Sequence, residues 1–207
     1  MDTLRWRVGD ATVLGIAEFD AAAALQGLIP KFDLADVARA EWLTPDFVDQ
    51  DGLLRGLVQA FVIMIADQVI IIDPCVGNGK NRSAVPGWGN LHTDFLDRLR
   101  AAGVALDIVN YVVNTHLHFD HVGWHTSLVN GAWQPTFPKA RYVMSGEEFR
   151  YWQSRPAKEI ADQHAGFADS VLPVYEAGLV DLVADDHVIC DGVRLVPHRA
   201  TRPITSA

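Results

Sequence analysis

The run Asn114-Thr115-His116-Leu117-His118-Phe119-Asp120-His121-Val122-Gly123-Trp124 crowds three imidazoles and a carboxylate into one short stretch. Imidazole nitrogen and carboxylate oxygen are ligands that Zn²⁺ accepts. Alternate residues of an extended segment point to one side, so His116 and His118 can share one ion. Asp120 and His121 follow after a bend and can serve a second ion beside it. Two ions roughly 3.5–4 Å apart hold a bridging hydroxide and polarise an electrophile. Water on such an ion has its pKa brought from roughly 16 to about 7, which supplies a nucleophile at neutral pH. No serine nucleophile is then required, and the chain has no Gly-x-Ser-x-Gly elbow.

The elements around this run must hold it in place. Asp107-Ile108-Val109-Asn110-Tyr111-Val112-Val113 is short, apolar and β-branched, and reads as a buried strand. The ligands therefore follow a strand's C-terminal end, where α/β proteins place chemistry. Upstream, residues 60–66 and 69–73 read as a hairpin turning at Asp67-Gln68. Its arms are too continuously apolar for one wet face, which predicts a sheet covered on both sides. Asp73 ends the second arm and can cap the following turn or orient a ligand from behind. Cys75 reads as a packed residue rather than a nucleophile, since no basic neighbour is evident. Gly77-Asn78-Gly79-Lys80 is not a phosphate loop, because the first glycine and the hydroxyl after Lys80 are missing.

Elsewhere, residues 4–19 read as paired strands around Gly9-Asp10. Asp33 can cap a short helix through Arg39, and Thr44-Pro45-Asp46 has a helix-start pattern. Leu25, Leu28, Ile29, Phe32 and Leu34 suit a core, a lid or a homodimer contact. Asn90 can cap a helix carrying Leu91, Phe95, Leu96 and Leu99, stopped by Gly103, with His92 on its surface. Ser145-Gly146-Glu147-Glu148 is a capping box that starts a further helix. Residues 168–177 suit another helix. Strands follow at 179–183, 187–190 and 193–196, with a tight turn at Asp191-Gly192.

Composition narrows the classes. The 207 residues are 49% hydrophobic and 21% charged, which fits one globular domain spanning 1–207. The net charge of −9 and the absence of a Lys/Arg run argue against a nucleic-acid partner. Two distant cysteines give no disulfide framework and point to a reducing, cytoplasmic setting. The N-terminus has no signal-peptide pattern, and the apolar stretch Phe61 to Ile72 is too short to span a bilayer.

His116-x-His118-x-Asp120-His121 resembles the His-x-His-x-Asp-His signature of the metallo-β-lactamase superfamily. The preceding strand, and Asp73 after an apolar hairpin, resemble that superfamily's layout, and the run through Trp124 looks most like its lactonase-type branches. The resemblance implies an α/β fold, an αββα sandwich, with two Zn²⁺ ions at one edge. It implies that His116 and His118 hold one ion and that Asp120 and His121 hold the other. Asp120 would also orient the hydroxide catalytically, and Asp73 would support the site from behind the ligands. His125 is read as a polar loop residue. The implied reaction is attack of a zinc-bound hydroxide on a lactone- or ester-type carbonyl of a small molecule. Phosphotriester or sulfate-ester hydrolysis on the same centre is the alternative, and iron is the less favoured metal.

The same resemblance implies later ligands: a histidine in a Pro-Gly-His-Thr-Pro-Gly-His-like stretch, a bridging aspartate and a final histidine. His198 is the sole candidate for the first, and no aspartate follows it. The second half of the sandwich is therefore expected to be incomplete. The chain as written is expected to show little hydrolysis, or to act as a remnant that binds metal or a partner. The tail at 197–207 is expected to be out of frame. If residues 198–207 are encoded by the legal codons CAC CGG GCC ACA CGC CCG ATC ACG TCG GCG, the same nucleotides read without the first two give Pro-Gly-His-Thr-Pro-Asp-His-Val-Gly. Sequencing the coding DNA beyond residue 196 checks this. A shifted frame that stays open through an Asp and a His is expected, and an immediate stop would refute the frameshift.

Overall fold

The structure is a computed structural model, and it describes residues 3–28, 39–83, 85–155, 161–184 and 186–197. Strands β1 (Leu4–Val8), β2 (Ala11–Asp20), β3 (Leu57–Ile65) and β4 (Gln68–Ile72) form an antiparallel meander. Strands β5 (Tyr111–Val113), β8 (Arg141–Ser145) and β9 (Val180–Val183) continue the sheet in parallel with β4. The resulting order is β1-β2-β3-β4-β5-β8-β9. A hairpin of β6 (Thr126–Val129) and β7 (Ala132–Pro135) follows the histidine loop, turning at Asn130-Gly131. Strands β10 (Val188–Cys190) and β11 (Val193–Arg194) form a separate hairpin through Asp191-Gly192.

One sheet face carries Leu14, Ile16, Val62, Ile71, Val112 and Tyr142. It packs on helices α2 (Phe95–Ala101), α4 (Gly146–Ser154) and α6 (Leu172–Glu176) through Phe95, Leu99, Phe149, Trp152 and Val174. Ile70, Val113 and Val143 point to the opposite face, where Ile189 of β10 covers them. The expected two-sided cover is thus present at the centre of the sheet. It stops short of β1, where Leu4, Trp6 and Val8 are exposed.

Local sequence explains most boundaries. Ser145 caps α4 by accepting from Glu148 N at 3.5 Å, as the capping box predicts. The strand expected over 107–113 is confined to Tyr111–Val113, because Asn110 is used otherwise: its Oδ1 accepts from Val69 N. The helix expected from Asn90 starts at Phe95 instead. Asn90 is held in a left-handed turn at φ 53°, its N–H donating to Lys80 O. Residues 44–47 form turns rather than a helix, with a 3₁₀ turn at Glu41–Leu43 before them. Leu25 and Leu28 lie in helix α1 (Ala22–Leu28); the rest of the 25–34 apolar segment and all of the expected Asp33–Arg39 helix but Arg39 fall outside the described residues, as does His198.

A buried charge cluster ties the loop after β4 to the helical segment at 161–176. Arg82 grips Asp169 with two bonds, Nη1 to Oδ2 at 2.8 Å and Nη2 to Oδ1 at 2.9 Å. Lys80 Nζ donates to Thr126 Oγ1 at 2.8 Å and lies over the Trp133 ring. It also reaches Asp169 Oδ1 at 3.3 Å. Burial pulls the Lys80 pKa down to about 8, against the raising influence of Asp169. Asp169 sits in a π-helical stretch, Phe167–Val171, between α5 (Ala161–Gly166) and α6. Removing one partner of a buried pair strands the other charge. Asp169→Ala is therefore expected to lower stability by about 3–5 kcal/mol in urea unfolding. An unchanged midpoint would show that water already serves these cations.

Candidate metal centre

Strands β4 and β5 are parallel and in register, with Ile72 opposite Val113. The chain segments that follow, from Asp73 and from Asn114, therefore leave the same sheet edge side by side. Asp73 joins them. Its Oδ1 accepts from Thr115 N at 2.8 Å and its Oδ2 from Thr115 Oγ1 at 2.5 Å. Further on, Trp124 N donates to Pro74 O and Gly123 N to Cys75 O. The approach there is so close that a Cβ on Gly123 would stand 1.8 Å from Val76 O.

The histidine segment is extended through His118 and then turns into one helical turn, α3 (Phe119–Val122). The bend expected before Asp120 is the start of this helix. The His116 and His118 rings meet at 4.5 Å between centroids, on one side of the extended stretch. The His116 and His121 rings are 4.0 Å apart. Ligand atoms of Asp73, His116 and His121 all lie within 4.8 Å of one another. His121 Nε2 is 3.5 Å from Asp120 Oδ2, so Asp120 flanks this group.

Hydrogen bonds from outside fix the loop. Glu148 Oε1 accepts from Leu117 N at 2.9 Å, between His116 and His118, and from Trp152 Nε1 at 3.3 Å. The carboxylate of the capping-box motif thus serves the histidine loop. Gln163 Oε1 accepts from Phe119 N, and Asn114 Nδ2 donates to His121 O. Thr115 Oγ1 lies 3.0 Å from His116 Nδ1. His121 Nδ1 is buried 3.1 Å from Asp73 Oδ2, poorly angled, and has no hydrogen-bond partner among the described residues.

Burial and neighbouring charges shift the three imidazoles in different directions. Burial, with help from His121 and His118, pushes His116 down to about 4. Burial also lowers His118. For His121 burial pulls downward, but Asp73 beside it, with Asp120 and Glu148, carries the pKa net upward. Desolvation raises Glu148.

Other residues singled out from sequence take different places. His125 is fully buried, against the expectation of a polar loop residue. It lies in the 3₁₀ turn Gly123–His125, its ring meets Tyr142 edge-on, and burial drives its pKa to about 3. Cys75 is packed and buried, and desolvation raises its thiol well above the ordinary range. His92 is exposed. Sequence reading missed Glu148 and Gln163 as supports of the loop. It also missed Glu18, whose signal was present: Leu14, Ile16 and Glu18 share the parity of one buried strand face.

A sequence profile of the metallo-beta-lactamase superfamily matches residues 54–200, and the chain belongs to that superfamily. No curated protein matches by sequence. Among solved structures, a probable metal-dependent hydrolase from Staphylococcus aureus superposes with a TM-score of 0.66 at 17% identity, over 91% of this chain and 64% of that one. AidC, a dizinc quorum-quenching lactonase in complex with a product, N-hexnoyl-L-homoserine, gives 0.64 at 15% identity, over 91% and 63%. AbOPH, a hydrolase in the beta-lactamase superfamily, gives 0.62 at 20% identity, over 89% and 62%. These likenesses show a shared fold. The chain spans less than two thirds of each of these proteins.

The Gly77–Gly123 crossing gives a direct check. Gly123→Ala forces the two loops apart and is expected to cost about 3 kcal/mol, the upper end for an overpacked site. Thermal unfolding and metal content of the variant should both fall. A variant with wild-type melting and metal content would show that the loops do not need this approach.

Proposed function

We propose that this chain carries the histidine-loop half of a zinc-dependent hydrolase centre acting on small molecules with a lactone- or ester-type carbonyl. The gathering of the His116, His118 and His121 rings, with Asp120 flanking them and Asp73 behind His121, is the observation that carries this reading. The donor set suits zinc, being imidazole nitrogen and carboxylate oxygen. Two imidazoles whose pKa values are lowered keep their lone pairs at neutral pH, as ligands must.

His116 and His118 are assigned to one ion, and Asp120 and His121 to the second. Thr115 beside His116 Nδ1 leaves Nε2 as its ligand atom. Asp73 beside His121 Nδ1 does the same for His121 and directs its Nε2 toward Asp120. A carboxylate behind a ligating histidine fixes the tautomer and ring orientation. When bound, zinc supplies Lewis acidity and lowers the pKa of water. Asp120, flanking the histidines, would orient the nucleophilic water. Glu148 holds the backbone between His116 and His118, so that the two rings keep one side.

The lactone preference rests on the run through Trp124 and on the fold shared with a lactonase. Among the described residues no helix is long and apolar enough to cross a membrane. The test is zinc analysis of purified chain beside a His116→Ala, His118→Ala variant, with hydrolysis of N-hexanoyl homoserine lactone, a phosphotriester and an aryl sulfate assayed in parallel. Bound zinc in the wild type and its loss in the double variant are expected. Of the substrates, lactone turnover is expected to exceed the other two, even if it is slow. Zinc retained by the variant would remove the assignment. Faster phosphotriester or sulfate-ester turnover would replace the substrate class. Zinc bound without any turnover would leave a metal-binding remnant.

A further inference from the structure

Glu18 has no part in the assignments above, yet it lies at the junction of three loops. It stands on β2 where the strand bulges: Ala17 pairs with Gln59 and Phe19 with Val58, leaving Glu18 as the extra residue. Bulges bend a strand and are found beside active sites. The Glu18 side chain is 1% exposed and would be costly there without partners. It has four. Val76 N donates to Oε2 at 2.8 Å and Gly77 N to Oε1 at 3.1 Å, both from the loop after β4. Trp124 Nε1 donates to Oε1 at 2.6 Å, from the 3₁₀ turn that follows the ligand motif. Thr93 Oγ1 reaches Oε1 at 3.3 Å, from the segment before α2.

These contacts fall at the point of closest backbone approach. Gly77 and Gly123 touch there, so that a Cβ on Gly77 would meet Gly123 C at 2.8 Å. Asp73 lies three residues before Val76, and His121 three residues before Trp124. A carboxylate accepting from both loops at this crossing fixes the spacing between the Asp73 segment and the histidine segment.

We propose that Glu18 is a positioning residue for the metal centre: by accepting from Val76, Gly77 and Trp124 at once, it sets the distance between the Asp73 loop and the His116–His121 loop. The inference rests on the metal-centre reading and adds to it a determinant of metal affinity on the second strand, far from the ligand motif in sequence. Glu18→Gln keeps the shape but turns an NH₂ group toward a ring of donors. Trp124→Phe removes a single donor, and its ring can keep the stacking on Phe95. Neither residue is a ligand.

The experiment is a Co²⁺ titration of full chain, read by visible absorption, with melting of the metal-free protein measured alongside. Wild type is expected to bind Co²⁺ with ligand-field bands. Glu18→Gln is expected to lose tenfold or more in affinity, within the range found for residues behind ligands, with altered band positions in its folded fraction. Trp124→Phe is expected to show a smaller loss in the same direction. A purely structural role would lower melting and leave the affinity and spectrum of the folded fraction unchanged, and that result overturns the proposal. If Glu18→Gln does not fold, Trp124→Phe decides, and wild-type affinity and bands in that variant count against the proposal. Absence of Co²⁺ binding by the wild type would overturn the metal-centre reading itself, and this inference with it.

Discussion

The parallel pairing of β4 with β5 is the constraint on which the site depends. Because Ile72 lies opposite Val113, the next residues of both strands emerge together at one sheet edge. A carboxylate at the end of one strand can then bind the backbone at the end of the other, as Asp73 binds Thr115. Beyond that point the two chains cross with almost no gap. Gly77 adopts a left-handed φ of 81°, and Gly123 leaves no room for a side chain. Backbone donors at the crossing are met by Glu18 and by the carbonyls of Pro74 and Cys75. The two segments are thus tied to each other by backbone and carboxylate hydrogen bonds rather than by a strand ladder.

Burial then sets the chemistry. An imidazole removed from water resists protonation, and the low value of His116 follows from that together with its two histidine neighbours. Asp73 works in the opposite direction on His121. The arrangement is therefore uneven: the pKa values of two rings are lowered, and the third is matched to a carboxylate. On the proposed assignment, a metal at His121 would compete with a proton, and its uptake would be coupled to proton release. The same burial would penalise Glu148 and Glu18, which is why both are surrounded by N–H donors.

Much of this was legible in the residues. The spacing of His116, His118, Asp120 and His121 identified the loop, and the structure brings the three rings and the Asp120 carboxylate into one neighbourhood. The apolar hairpin ending at Asp73, the capped helix at Ser145 and the turn at Asp191-Gly192 followed from local patterns. What stayed hidden depends on contacts between residues distant in sequence. Glu148 looked complete as part of a helix cap, yet its side chain serves Leu117. His125 looked like a loop residue because its cover, Tyr142, comes from a later strand. Asn90 looked like a helix cap because nothing local reveals that Lys80 O takes its N–H. Glu18 broke an apolar row, and only the bulge and the facing loops explain why a carboxylate belongs there.

The most direct measurement is anomalous diffraction at the zinc edge from crystals of the zinc-loaded chain. The account predicts a peak about 2.0–2.1 Å from a ring nitrogen of His116 and a peak at similar distance from His121 Nε2, with His121 Nδ1 facing Asp73. Zinc found only on exposed carboxylates such as Asp107, with the His116–His121 loop unchanged and empty, would contradict it.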